Sequence, residues 1–233
     1  MRWVILDTET TGLDPEDGHR IIEIGAVEVV NRAITGRDFH TYLNPDRDSD
    51  QGALEVHGLT TDFLQDKPRF KDVVGEFLEF VKEAELIIHN APFDLKFLNS
   101  ELKKLGHNEL TSYSGPVTDS LAHAKLLYPG KRNSLDALCE RYSISNAHRT
   151  LHGALLDSRL LAEVWLAMTR GQDSLAIEDE VHPSKNIAPE KRKFFELPLI
   201  EVSQAEDEAH EAYLQVLDKA SGDQTLWRSL KSH

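Results

Sequence analysis

The sequence predicts a mixed α/β protein, an antiparallel meander joined to parallel strands in one sheet, with helices on both faces and a polar tail behind. Three observations carry this. Strand-like stretches crowd the first 43 residues, strand and helix patterns alternate from there to about residue 170, and periodicity fades after Gly171.

The elements follow in order. VILD (4–7) is a branched apolar run, IIEIGAVEVV (21–30) a longer one, and FHTYL (39–43) alternates before the Asn44-Pro45 turn signal. Short polar loops make these three a meander. FKDVVGEFLEFVKEA (70–84) sets Val73, Val74, Phe77, Leu78 and Val81 at helical spacing. LIIH (86–89) is a buried strand, and the helix after it opens near Pro92 and stops at Gly106. VTD (117–119) leads into a helix that Pro129 ends, and Asn133 or Ser134 caps SLDALCERY. A strong helix from about 153 to 170 places Leu156, Leu160, Val164 and Met168 on one side.

This pattern divides the chain into a domain over 1–171, a flexible linker over 172–205 and a terminal segment over 206–233. In that last segment Tyr213, Leu214 and Leu217 regain helical spacing, and Leu226-Trp227 follows. A linker ending in a small apolar helix suits docking onto a partner.

Composition narrows the function. A chain of 233 residues, 40% hydrophobic and 28% charged, is ordinary for a globular protein with a large core. No apolar run reaches the ~20 residues of a membrane span, and MRWVILD is not a signal peptide, so the expectation is cytoplasmic. One cysteine, Cys139, excludes an intramolecular disulfide framework and reads as a small buried hydrophobe. A net charge of -14 argues against a basic coat for nucleic acid. It does not exclude nucleotide chemistry in a cleft where divalent ions supply the positive charge.

Three elements supply acids. Asp7 and Glu9 are two residues apart on a strand and share a face, where paired carboxylates are costly unless a cation meets them. Asp94 falls in the first turn of the helix after LIIH, beyond a strand's carboxyl end, where α/β sheets bind ligands. His152 and Asp157 would point about 140° apart on one helix. They converge if His152 lies in the loop before it and Asp157 on its second turn. Oxygen donors of this kind suit Mg²⁺ or Mn²⁺, and a metal pair can cleave phosphodiesters with a nearby imidazole as base.

DTETTG, HNAPFD and HGALLD resemble, in order and separation, the three motifs of the DEDDh exonucleases. IIEIGAVEVVNR, VHGL, VTDSLA and PGKRNSLDALCERY narrow the resemblance to the epsilon-type proofreading subunits of bacterial DNA polymerase III. The resemblance implies a ribonuclease H-like fold and 3′→5′ hydrolysis of DNA ends with two divalent ions, Mg²⁺ or Mn²⁺. By motif, Asp7, Glu9 and Asp157 would be metal ligands, Asp94 would help hold the looser ion, and His152 would be the general base. Asp7, Glu9 and Asp157, with Thr10, Gly12 and His57, would also meet the terminal nucleotide. Such subunits often carry a sugar-contacting glutamate five residues before the VHGL histidine. That position is Gly52 here, with Glu55 nearer, so this contact does not carry over.

The tail resembles them more weakly. Gln172 and Leu175 match a sliding-clamp peptide, and Ile177 stands where an aromatic residue is expected, which implies weak clamp binding. The terminal segment resembles the anchor for the polymerase (alpha) subunit. A small theta-like subunit on the nuclease domain is left open. Two rival readings stand beside this one, a stand-alone RNA or oligonucleotide exonuclease and an inactive scaffold between polymerase and clamp.

Overall fold

A computed structural model of the chain describes residues 1–146, 151–170 and 203–221. Five strands form its sheet: β1 (Arg2–Thr10), β2 (Ile21–Val30), β3 (Ala33–Tyr42), β4 (Glu85–Ile88) and β5 (Val117–Asp119). Their order is β3-β2-β1-β4-β5. The first three pair antiparallel, and β1, β4 and β5 run parallel. The expected meander and mixed sheet are both present.

Alternation along β1 divides the core. Val4 and Leu6 face one layer, packed with Phe77 from α3 (Phe70–Val81) and Phe97 and Leu98 from α4 (Ala91–Lys104). Trp3 and Ile5 face the other, against Leu138 of α6 (Leu135–Tyr142) and Leu160, Leu161 and Val164 of α7 (Ala154–Met168). Fully burying one such side chain contributes about 1.5–3 kcal/mol, so both layers hold β1 firmly. Cys139 is wholly buried in the second layer, as its apolar setting implied.

Local signals set the helix ends. Pro92 occupies the first turn of α4, and Gly106 takes φ +75° beyond its end. Asn90, just before α4, also lies in the left-handed region that asparagine tolerates, at φ +69°. Ser134 accepts from the Ala137 amide and is the cap of α6. Helix α5 spans Ser120–Leu127, with Asp119 as its cap.

The structure departs from the sequence reading at several points. Strand β1 runs on through Thr10, because the threonines between the acids keep the strand pattern that the apolar run abandons. Helices α1 (Gln51–His57) and α2 (Thr61–Leu64) fill a stretch to which the sequence pattern assigns no element; both are too short to show periodicity. Helix α8 spans Gln204–Ser221. Strands and α1–α7 lie in one compact unit, Met1–Asp179, and α8 in another, Glu180–His233. Among the described residues no helix is long and apolar enough to cross a membrane.

Candidate active site

The two faces of β1 explain how the acids meet. Asp7 and Glu9 continue the Trp3–Ile5 face, the one that α7 covers. Thr8 continues the opposite face, toward α4. There the Thr8 amide and hydroxyl both donate to Asp94 Oδ1, at 3.0 and 2.7 Å. The strand end therefore receives acids from two layers, outside the carboxyl ends of β1 and β4.

Gly153 is extended (φ -155°), so His152 lies outside α7 and escapes the helical spacing that would separate it from Asp157. Asp157 sits in the first turn, not the second as expected. His152 Nδ1 is 3.3 Å from Asp157 Oδ2. The His152 amide donates to the Val56 carbonyl at 3.0 Å, which ties this loop to α1.

Donor atoms of Glu9, His152 and Asp157 lie within 4.8 Å of one another. Asp7, Asp94 and these three line one cavity of about 560 Å³. The Asp157 side chain is 4% exposed and that of His152 46%. Buried carboxylates are what a hard cation needs, and a half-exposed imidazole is better placed to exchange protons with water. Burial pushes the Asp94 carboxyl up to about 7, against the lowering pull of its hydrogen bonds from Thr8. A divalent cation would hold that carboxyl ionised, so the donor set fits a metal site.

A second cavity, about 340 Å³ and mostly apolar, shares Thr8, Glu9 and Phe93 with the first. Thr10, Gly12, Leu13, Gly52, Val56 and His57 line it too, with Asp50 and Ala53. His57 is 3% exposed, and burial lowers its pKa, which keeps it neutral. Its Nδ1 accepts from the Leu59 amide at 2.9 Å, so the proton sits on Nε2. That Nε2 is buried without a protein partner. A buried donor left unmade is costly, and a ligand oxygen in this cavity would satisfy it.

The Thr10 hydroxyl, expected to approach a nucleotide, donates to the Gly12 carbonyl at 2.7 Å and closes the turn at the edge of this cavity. Gly12 lies against the buried His19 ring, whose Nδ1 is 3.0 Å from Thr11 Oγ1 and whose Nε2 is 3.3 Å from Asp50. A Cβ at position 12 would stand 2.3 Å from that ring. Gly12→Ala is therefore expected to cost about 1–3 kcal/mol in a urea melt. A wild-type melt would contradict this packing.

Phe93, Lys125 and Lys131 also line the first cavity and carry no signal of it in the sequence; Asn133 lines it too, and the sequence offers it only as a helix cap. Phe93 sits inside HNAPFD, where the apolar helix pattern accounts for it. Lys131 sits in PGKRN, a turn signal that gives no direction for its side chains, and Lys125 is a polar position on α5. Gln172, Leu175 and Ile177 lie outside the described residues.

The Exonuclease family (RNase_T) matches residues 4–165. The DNA polymerase III subunit epsilon of Escherichia coli K12 is 50% identical, with 98% of each chain covered. That of Haemophilus influenzae is 46% identical, covering 97% of this chain and 94% of its own. Among solved structures, exonuclease X bound to 5′-overhanging duplex DNA aligns at TM-score 0.57 and 25% identity, covering 72% of this chain and 91% of its own. The nuclease domain of 3′hExo, a DEDDh family member bound to rAMP, aligns at TM-score 0.63 and 19% identity, over 72% and 92%, and shares the fold. The chain belongs to the exonuclease family and, within it, to the DNA polymerase III epsilon subunits.

Proposed function

We propose that this chain removes mismatched 3′-terminal nucleotides from DNA as the proofreading subunit of a replicative polymerase in the cytoplasm. The observation that carries it is one cavity lined by Asp7, Glu9, Asp94, Asp157 and His152, beside a mostly apolar cavity of about 340 Å³.

Asp7, Glu9 and Asp157 would hold the metal ions, with Asp94 beside them. Two divalent ions, when bound, activate a water and stabilise the leaving oxygen of a phosphodiester. His152 takes the proton of the attacking water on a ring nitrogen, and its exposure lets that proton leave to solvent. His57 donates from Nε2 to the terminal nucleotide or its phosphate. The cavity shared through Phe93 admits an end only after it unpairs, which costs least for a mismatch.

Digestion of 5′-labelled single-stranded DNA and RNA with Mg²⁺ or Mn²⁺ tests this reading. Stepwise 3′ shortening of DNA, stopped by EDTA, is expected; preference for RNA would instead favour a stand-alone ribonuclease.

The tail supplies the partner readings. Residues 206–233 would anchor the polymerase subunit, and Gln172, Leu175 and Ile177 would give weak contact with the clamp across the 172–205 linker. A small theta-like subunit rests on resemblance alone. Removing 206–233 is expected to abolish co-purification with the polymerase subunit and leave nuclease activity intact. Removing 172–233 should also end clamp association on primed DNA. Retained polymerase binding by the shorter deletion would refute the anchor.

A further inference from the structure

We propose that Lys125 and Lys131 form a subsite for the backbone phosphates of the strand upstream of the scissile bond. This rests on the exonuclease reading and adds to it the path of the strand. The two cavities share Thr8, Glu9 and Phe93, so Glu9 stands where they join, and the other members of the acid cluster line the larger cavity. With the terminal nucleotide in the smaller cavity, the strand leading to it must leave through the larger one.

That larger cavity is lined on its far side by Lys125 of α5 and Lys131 of the following turn. Helix α5 begins at the end of β5, two strands from β1, or about 10 Å across the sheet. The lysines are therefore placed for a phosphate beyond the scissile one.

The turn that carries Lys131 is fixed. Buried Asn133 donates through Nδ2 to the carbonyls of Tyr128 and Lys131, at 3.2 and 3.1 Å. Its Oδ1 accepts from Arg141, which also donates to the Arg132 carbonyl at 2.8 Å. Among the described residues neither Lys125 nor Lys131 is ion-paired, in a chain with 40 acids against 26 lysines and arginines. Two exposed cations face a cleft whose other wall is acidic, and a polyanion with its metal ions fits between them. Ammonium groups read phosphate and not base, so the subsite serves any sequence.

The test compares wild type with Lys125→Ala/Lys131→Ala by anisotropy of a fluorescent oligothymidylate in EDTA across a salt series. Each lost phosphate contact is expected to flatten the log–log salt slope by about 0.7, so the double variant by about 1.4. In turnover, KM for the oligonucleotide should rise about fivefold. The loss should shrink below about twofold on a chromogenic mononucleotide ester, which has no upstream phosphate. Lys125→Arg/Lys131→Arg should restore the slope, and Lys103→Ala, on α4 and lining neither cavity, should leave it unchanged. An unaltered slope in the double alanine variant, or an equal loss on the ester, would overturn the subsite. A wild type that digests nothing yet binds with the lysine-dependent slope would overturn the exonuclease reading and leave the subsite standing.

Discussion

Asp157→Asn is expected to lower exonuclease turnover by about 10³-fold while leaving the fold intact. The substituted oxygen lies in the first turn of α7, 4% exposed and within 4.8 Å of donor atoms of Glu9 and His152. Bound ions supply on the order of 4 kcal/mol of transition-state stabilisation, and each 1.36 kcal/mol is tenfold in rate. An amide keeps the shape of the carboxylate but removes the charge that would hold an ion. Thermal unfolding separates this from a folding defect. At a hundredfold excess over its dissociation constant, an ion stabilises the wild type by about 2.7 kcal/mol. For a unit of this size that is a rise of about 5–10 °C, reversed by EDTA. In Asp157→Asn the rise should vanish, and the ion-free melt should match or exceed that of the wild type, since one buried charge is gone. Turnover within tenfold of the wild type would show that Asp157 is not a metal ligand.

How much of this was legible in the sequence depends on the length of each signal. The meander, α3, α4 and α7 repeat their apolar spacing long enough to be read, and Asp94 and His152 could be placed by a proline and a glycine beside them. Helices α1 and α2 have seven and four residues and no room for a period, so the wall carrying Gly52, Val56 and His57 was not foreseen as helix. The roles of His57 and Asp94 came from motif resemblance. Their physical basis appears only in three dimensions, as a buried donor without a partner and a carboxyl that burial raises. Thr10 adds a feature that the motif does not show, a hydroxyl that closes a turn beside the second cavity. Side-chain direction within a turn leaves no mark in a sequence, which hides Lys131, and Lys125 reads as an ordinary polar position on α5 until the cavity beside it is seen.

Gly25→Ala tests whether the sheet itself sets the catalytic geometry. Gly25 pairs with Asp7 across β1 and β2, and the first turn of α7 rests directly upon it. A Cβ there would stand 2.2 Å from the backbone of Ala154 and Leu155, and Ser158 already donates to the Gly25 carbonyl at 2.8 Å. Backbone cannot rotate aside as a side chain can. To restore a contact near 3.5 Å the start of α7 must lift by roughly 1 Å, and Asp157 moves with it. Overpacking of this kind costs about 3 kcal/mol, at the upper end of its usual range, because the obstacle is rigid. A displacement of 1 Å at a reacting centre costs about 10² in rate. The variant is therefore expected to lose both urea midpoint and turnover, with turnover remaining low under conditions where it is fully folded. Gly75→Ala is the comparison, since its Cβ meets nothing within 4 Å, it lines neither cavity, and α3 should gain about 0.5–1 kcal/mol. If Gly25→Ala melts and turns over like the wild type, α7 can shift without consequence. The contact between β2 and α7 would then not be what places Asp157 beside Asp7.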